Sequence, residues 1–201
     1  MNPSRKRLAR CGGCMKTEDA VRLWHDEHAR FARLLDFLDA QMMAFHEGGH
    51  PNYELMRDVI YYLQHYADRF HHPREDVAFA LMLEREPALA PVIKRLMHEH
   101  RVINTVGAQL YKFLDDILED AFIARETVEA SAATYLVYYR GHIDAEDREI
   151  LPQAAKLLKD ADWSKVSAAV PAVADPLFGQ DVGARYRDLH TQIMRENQSI
   201  N

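Results

Sequence analysis

The sequence predicts an all-α protein, an up-down-up-down four-helix bundle with a pseudo-twofold internal repeat and a short C-terminal helical extension. Three observations lead there. Apolar residues recur at spacings of three and four through four long stretches. No stretch alternates apolar and polar residues as a half-buried strand would. The stretches also form two pairs whose polar exceptions keep nearly the same spacing. With 201 residues, 48% hydrophobic and 28% charged, the chain has the make-up of one folded domain and a small appendage. The expected division is a flexible tail over 1–16, the bundle over 17–155, and an extension over 156–201 packed on the bundle.

The first helix is expected from Thr17 to about Phe45. Its stripe is Val21, Trp24, Phe31, Leu35, Leu38, Met42 and Phe45, with His28 filling the gap after Trp24. Thr17 followed by Glu18 and Asp19 suits a helix start, where side-chain oxygens and negative charge meet free amides. Gly48-Gly49-His50-Pro51 ends it. The second helix runs from Asn52 to about Arg85 along Met56, Ile60, Leu63, Ala67, His71, Glu75, Ala78 and Met82. Pro73 interrupts its hydrogen bonding, so a kink is expected near Arg69.

The third helix, from about Pro91 to Glu119, has the stripe Ile93, Leu96, His100, Ile103, Gly107, Leu110, Leu114 and Ile117. The fourth, from about Arg125 to Ile150, has Val128, Ala132, Tyr135, Tyr139, His142, Glu146 and Ile150, with Pro152 behind it. Beyond it, Asp162-Trp163 and Asp175-Pro-Leu-Phe-Gly179 read as turns with apolar plugs. A last short helix is expected from Asp181 to about Glu196, packed through Tyr186 and Leu189.

Composition excludes several function classes. No apolar run approaches the length of a membrane span, and no charged-then-apolar leader opens the chain. Twenty-five basic against 31 acidic residues give a formal charge of -6, which argues against a nucleic-acid or anionic-membrane binder. Cys11 and Cys14 lie in a basic segment that reads as a tail without function. The other reading is a labile thiol pair or a shared metal ligand. Met15 is a candidate natural start. Thiols confined to a tail suit a cytoplasmic protein.

The eleven histidines carry the chemistry. The stripe offsets around His28 recur around His100, and Glu27-His28 matches Glu99-His100. His71 with Glu75 and His142 with Glu146 each form His-x-x-x-Glu. His28 precedes His71 by 43 residues and His100 precedes His142 by 42. Residues four apart stack on one helix face, so a twofold bundle brings His28, His71, Glu75, His100, His142 and Glu146 to one central point. Buried without cations, such a set would cost several kcal/mol. Nitrogen and oxygen ligands without thiolates suit Fe, Mn or Zn. Six ligands shared by two ions leave coordination positions for a bridging hydroxide or oxide and for a small external molecule.

Other residues are ranked around that set. His72, spaced four from Asp76, reads as a surface residue or a hydrogen-bond partner, because its face runs through His65 and Asp68, with an extra metal ligand as the other reading. Asp147 loses to Glu146 on the same argument. His25 and His98 flank the core stripe as partners or solvent-facing groups. Glu27 and Glu99 are candidates to hold the ligand imidazoles, with solvent-facing ion pairs as the other reading. Tyr135 and Tyr139 share the ligand stripe and read as packing residues, as donors to a carboxylate or a bound oxygen species, or as ligands to an iron.

Leu23-Trp-His-Asp-Glu-His28, Phe70-His-His-Pro-Arg-Glu-Asp76, Leu96-Met-His-Glu-His100 and His142-Ile-Asp-Ala-Glu146 resemble the bacterial hemerythrin-like, or HHE cation-binding, family over about residues 17–155. The resemblance implies a non-haem di-iron centre, with an oxo or hydroxo bridge. It implies His28, His71, His100 and His142 as terminal imidazoles and Glu75 and Glu146 as bridging carboxylates. The pattern departs from oxygen-carrying hemerythrin. That protein pairs histidines four apart on its third helix, where this chain has Leu96 and Asn104 around His100. Asp147 keeps its fourth-helix aspartate spacing. The missing histidine argues against pure reversible oxygen carriage. It favours sensing, oxidative or nitrosative stress chemistry, or iron handling.

The expected function is therefore a non-haem di-iron protein that binds or senses O2, NO or peroxide. Manganese or zinc is a substitute for iron. The alternatives are a di-iron oxidoreductase with peroxidase-like turnover and a metal-stabilised interaction module without a redox role. The sequence names no reductant and no protein partner, and it does not decide whether the chain is an enzyme.

Overall fold

A computed structural model of the chain describes residues 16–199, with side chains through residue 195. Cys11, Cys14 and Met15 lie outside the described residues. Helix α1 spans Thr17–His46 and stops where Gly48 takes a left-handed φ of 76°. Helix α2, Tyr53–Tyr62, opens on Asn52, whose side chain accepts the Leu55 amide. It continues through a π-helical segment, Leu63–His71, into α3, His72–Arg85. Helix α4 is Ala90–Leu118 and α5 is Arg125–Ala145. A second π-helical segment, Glu146–Ile150, joins α5 to α6, Leu151–Leu157. Helices α7, Asp160–Ala169, and α8, Arg187–Ser199, follow. The described residues contain no strand.

The π segments answer to the prolines. Proline lacks an amide hydrogen and its ring collides with the carbonyl four residues back. Pro73 and Pro152 each stand second in the α-helix that follows a π segment. The wider π turn, bonded five residues apart, takes up the lost bond and the collision. The fault expected near Arg69 thus falls inside Leu63–His71. The expectation that the fourth helix ends at Ile150 is corrected, because the widened turn carries the chain past Pro152 to Leu157.

A second correction concerns Asp162-Trp163, expected in a turn. Both lie inside α7. The Asp162 carboxylate accepts the Lys159 amide at 2.9 Å and so caps that helix. Trp163 packs edge-on against Trp24 at 5.0 Å.

Helix α1 packs on α2 and α5, and α4 packs on α2 and α5, which closes the four-helix bundle. Helix α7 covers α3 and α1, and α8 lies against α2, with Leu189 and Ile193 buried and Tyr186 buried just before its start. The core divides in two. One apolar cluster holds Phe31, Leu35, Ile60, Leu110 and Tyr139. The other holds Trp24, Phe79, Ile93, Leu96 and Trp163. Between them lies a belt of buried polar side chains.

Candidate metal centre

Each helix reaches the belt with its stripe. His28 comes from α1, His71 from the end of the first π segment, and Glu75 from α3. His100 comes from α4, His142 from α5, and Glu146 from the second π segment. All six are buried. His28 Nε2 lies 2.9 Å from His71 Nε2, and His100 Nε2 lies 3.1 Å from His142 Nε2. Two nitrogens bound at right angles to one cation at ~2.1 Å stand about 3.0 Å apart.

The carboxylates join the two pairs. Glu75 Oε1 is 2.8 Å from His71 and 3.2 Å from His28, while its Oε2 is 3.5 Å from His100. Glu146 Oε2 is 3.3 Å from His142 and 3.4 Å from His28, and its Oε1 is 3.8 Å from His100. Ligand atoms within 4.8 Å of one another form two groups that could each hold a cation. One is His28, His71, Glu75 and Glu146; the other is His72, Glu75, His100 and His142. Glu75 belongs to both.

His72 lies deeper than its helix face suggested. On a face otherwise half-buried, His72 is itself buried, with 4% exposure. The cause is the π segment before it. Its wider turn breaks the phase of the α-helical stripe, so His71 and His72 both face inward. The His72 ring stacks on that of His100 at 4.3 Å. The repeat hid it, because the residue after His142 is Ile143.

The outer contacts keep the twofold pattern. His71 Nδ1 meets Glu27 at 2.7 Å, and His142 Nδ1 meets Glu99 at 3.2 Å. His28 Nδ1 meets Asp147 at 2.7 Å, and His100 Nδ1 meets Asp76 at 3.0 Å. His72 Nδ1 lies 3.1 Å from Asp68. An ionised carboxylate only accepts, so Nδ1–H is the donor and Nε2 is left to face the centre. Asp76 and Asp68 were missed in these roles. The signal for Asp76 was present, since Glu75-Asp76 repeats as Glu146-Asp147.

Glu27 is tied further by Tyr66 at 2.9 Å and by buried Arg74 at 3.0 Å. Its counterpart Glu99 meets Arg95 at 3.3 Å nearer the surface. His25 is exposed and lies 3.3 Å from Asp147, outside the cluster. His98 is exposed. Tyr135 packs on Gly107, where an added Cβ would sit 2.9 Å from the ring.

Protons balance these charges when no cation is bound. Burial pulls His28 down, but the bonds to Asp147 and Glu75 and the charge of Glu146 outweigh it and push it up to about 10. His100 is likewise pushed up to about 12, against burial, by Asp76, Glu146 and Glu75. Burial wins at His142, which falls to about 3, and lowers His72 as well. Glu75 is held well below the usual carboxylate range, because His71, His100 and His28 outweigh its burial. Binding of a cation would expel these protons.

The donor set fits metal. Glu75 Oε2 and both Glu146 oxygens are buried without a hydrogen-bond partner, as is the Tyr139 hydroxyl. Orphaned carboxylate oxygens in an apolar core are costly unless a cation meets them.

The profile of the Hemerythrin HHE cation binding domain matches residues 19–154 of the chain. The chain matches no curated protein and no solved structure.

Proposed function

The chain belongs to the hemerythrin HHE cation-binding domain family, and on that footing we propose that it is a non-haem di-iron protein that binds or senses O2, NO or peroxide. The observation that carries this reading is the sharing of Glu75 by two buried imidazole groups. One carboxylate spanning two cation positions suits a coupled pair better than two separate structural ions.

In this reading His28 and His71 hold one iron, and His100, His142 and His72 hold the other. Glu75 and Glu146, whose oxygens approach His28 on one side and His100 on the other, would be shared between the two ions, together with an oxo or hydroxo group. Iron supplies the redox-active positions at which a small molecule is held. The protein's part is orientation and exclusion. Glu27, Asp68, Asp76, Glu99 and Asp147 fix the five rings by their Nδ1–H groups, which also raises the basicity of the inward nitrogens. The apolar clusters on either side keep bulk water away. His72 takes the place of the histidine that the third helix lacks, so the set has three imidazoles on one side and two on the other.

The binding reading is preferred to peroxidase-like turnover. Neither Tyr135 nor Tyr139 lines the cleft beside the centre, so no tyrosine is offered there to a substrate. The test is anaerobic loading with iron, reduction, and absorption spectra on adding O2, NO and peroxide. Two irons per chain and a distinct spectrum with at least one of these are expected. Failure to take up iron, or zinc uptake with no response to any of the three, overturns the proposal.

A further inference from the structure

The carboxylate that orients His71 also accepts a phenol. Glu27 Oε2 meets His71 Nδ1 at 2.7 Å, and Glu27 Oε1 accepts the Tyr66 hydroxyl at 2.9 Å. The Tyr66 ring stacks on that of Tyr62, with centroids 5.3 Å apart and planes 14° apart. Tyr62 in turn donates to Asp175 Oδ2 at 3.1 Å. Both tyrosines and both carboxylates are buried. Tyr186 meets Tyr62 edge-on at 5.7 Å, and half-buried Tyr61 lies 6.4 Å from Tyr186. A file of rings therefore runs from an orienting carboxylate of the centre toward solvent. Tyr139 makes the contrast. Its ring comes within 5.8 Å of His72, but its hydroxyl has no acceptor among the described residues.

A phenol gives up an electron readily only when its proton leaves in the same step, and a carboxylate already bonded to that proton can receive it. Burial, joined by the charges of Asp175 and Glu27, pushes the Tyr62 and Tyr66 hydroxyls up, so both hold their protons until that step. We propose that Tyr66 and Tyr62 are electron donors to the centre when hydrogen peroxide is the molecule taken there, Tyr66 directly and Tyr62 through Tyr66. The inference rests on the di-iron reading and adds to it the source of the electrons that an oxidant draws. Peroxide needs two electrons and two protons to break its O–O bond and become two waters. Tyr66 gives an electron toward His71 and its proton to Glu27. Tyr62 then refills Tyr66 and passes its own proton to Asp175, while the Glu27 proton returns to Tyr66. A second oxidation of Tyr66 completes the pair. Two phenolic O–H bonds have broken, two tyrosyl radicals and two waters have formed, and iron ends in the oxidation state in which it began. Solvent supplies the protons that peroxide takes and receives those that the carboxylates release. This is oxidation within the chain, not turnover of a substrate in the cleft, and it moves the oxidising power away from the imidazoles.

The experiment mixes the oxidised, iron-loaded chain with hydrogen peroxide, freezes it rapidly, and records radicals by electron paramagnetic resonance. Iron content and absorption spectrum are recorded first. A tyrosyl signal is expected that narrows when the chain carries ring-deuterated tyrosine, and the zinc-loaded chain is expected to give none. Tyr66→Phe keeps the stacked ring and removes the proton that Glu27 accepts. It is expected to lower the radical yield by about tenfold or more, with iron content and absorption spectrum unchanged. Tyr62→Phe is expected to lower the yield to about half, since one of the two donors is gone. Being one ring further from His71, it carries the test by itself if Tyr66→Phe takes up less iron. Tyr139→Phe is expected to leave the yield unchanged. A full signal in both Tyr66→Phe and Tyr62→Phe, or one that deuterated tyrosine does not narrow, overturns the assignment. A loss in Tyr139→Phe as large as that in Tyr66→Phe overturns the need for a carboxylate partner. Iron uptake and a response to peroxide without any radical overturn the tyrosine donors alone, whereas a chain that takes up no iron overturns the di-iron reading with them.

Discussion

His72 differs from its four companions because nothing repeats it. Each of the five rings has a carboxylate at Nδ1, but the twofold counterpart of His72 is Ile143. If it holds the second iron, His72→Ala lowers iron content from two toward one per chain, with about tenfold or more loss of affinity for the second ion. His98→Ala, at an exposed position, leaves both in place. Metal analysis after dialysis against a weak chelator separates these results. Tyr139 makes a second test. Its hydroxyl is buried and has no partner among the described residues, and such a group costs about 1–3 kcal/mol. Tyr139→Phe should therefore raise the unfolding free energy of the metal-free protein by about 1 kcal/mol in urea. A loss of stability would show that the hydroxyl is satisfied in the folded chain.

The helices were legible from their stripes, and their faults were not. Every member of the second stripe from Met56 to Met82 is buried. Leu63, Ala67, His71 and Glu75 advance by steps of four, and in an α-helix each such step turns the face by about 40°. Three in succession would carry the ligands off the core, so a π segment that absorbs the drift was implicit in the spacing. A template of period 3.6 alone missed it, and with it the depth at which His72 is buried. Helix α7 was missed because its start signal lies in the reciprocal contact of Lys159 and Asp162, not in a strong apolar stripe. Asp162 also receives Arg85 at 2.6 Å. Burial raises its carboxyl, but Arg85 and the Lys159 amide outweigh this and hold it below the ordinary value. Its contribution is present above pH ~4 and lost as pH falls through the lower folded value. Asp162→Ala should cost about 1–2 kcal/mol at neutral pH. The gap from the parent should narrow below pH ~4 in urea titrations, and a gap independent of pH would refute the assignment.

Across the whole molecule the bundle holds a polar belt between two apolar clusters, and cations are what reconcile that belt with its burial. Iron at about a hundredfold over its dissociation constant should add about 2.7 kcal/mol to unfolding. Removal by a chelator should lower the melting temperature, which anaerobic thermal scans would show. No shift would mean that the unfolded chain binds iron as well as the folded one. No helix among the described residues is long and apolar enough to cross a membrane. The sequence by itself determined the four helices, the repeat, and the six inward side chains, because all of these follow from helical periodicity within one stretch of chain. Tertiary structure alone decided the fifth imidazole, the partner that orients each ring, and the face on which the centre opens. These depend on the phase left by a π turn and on distances between helices far apart in sequence, which no local pattern records.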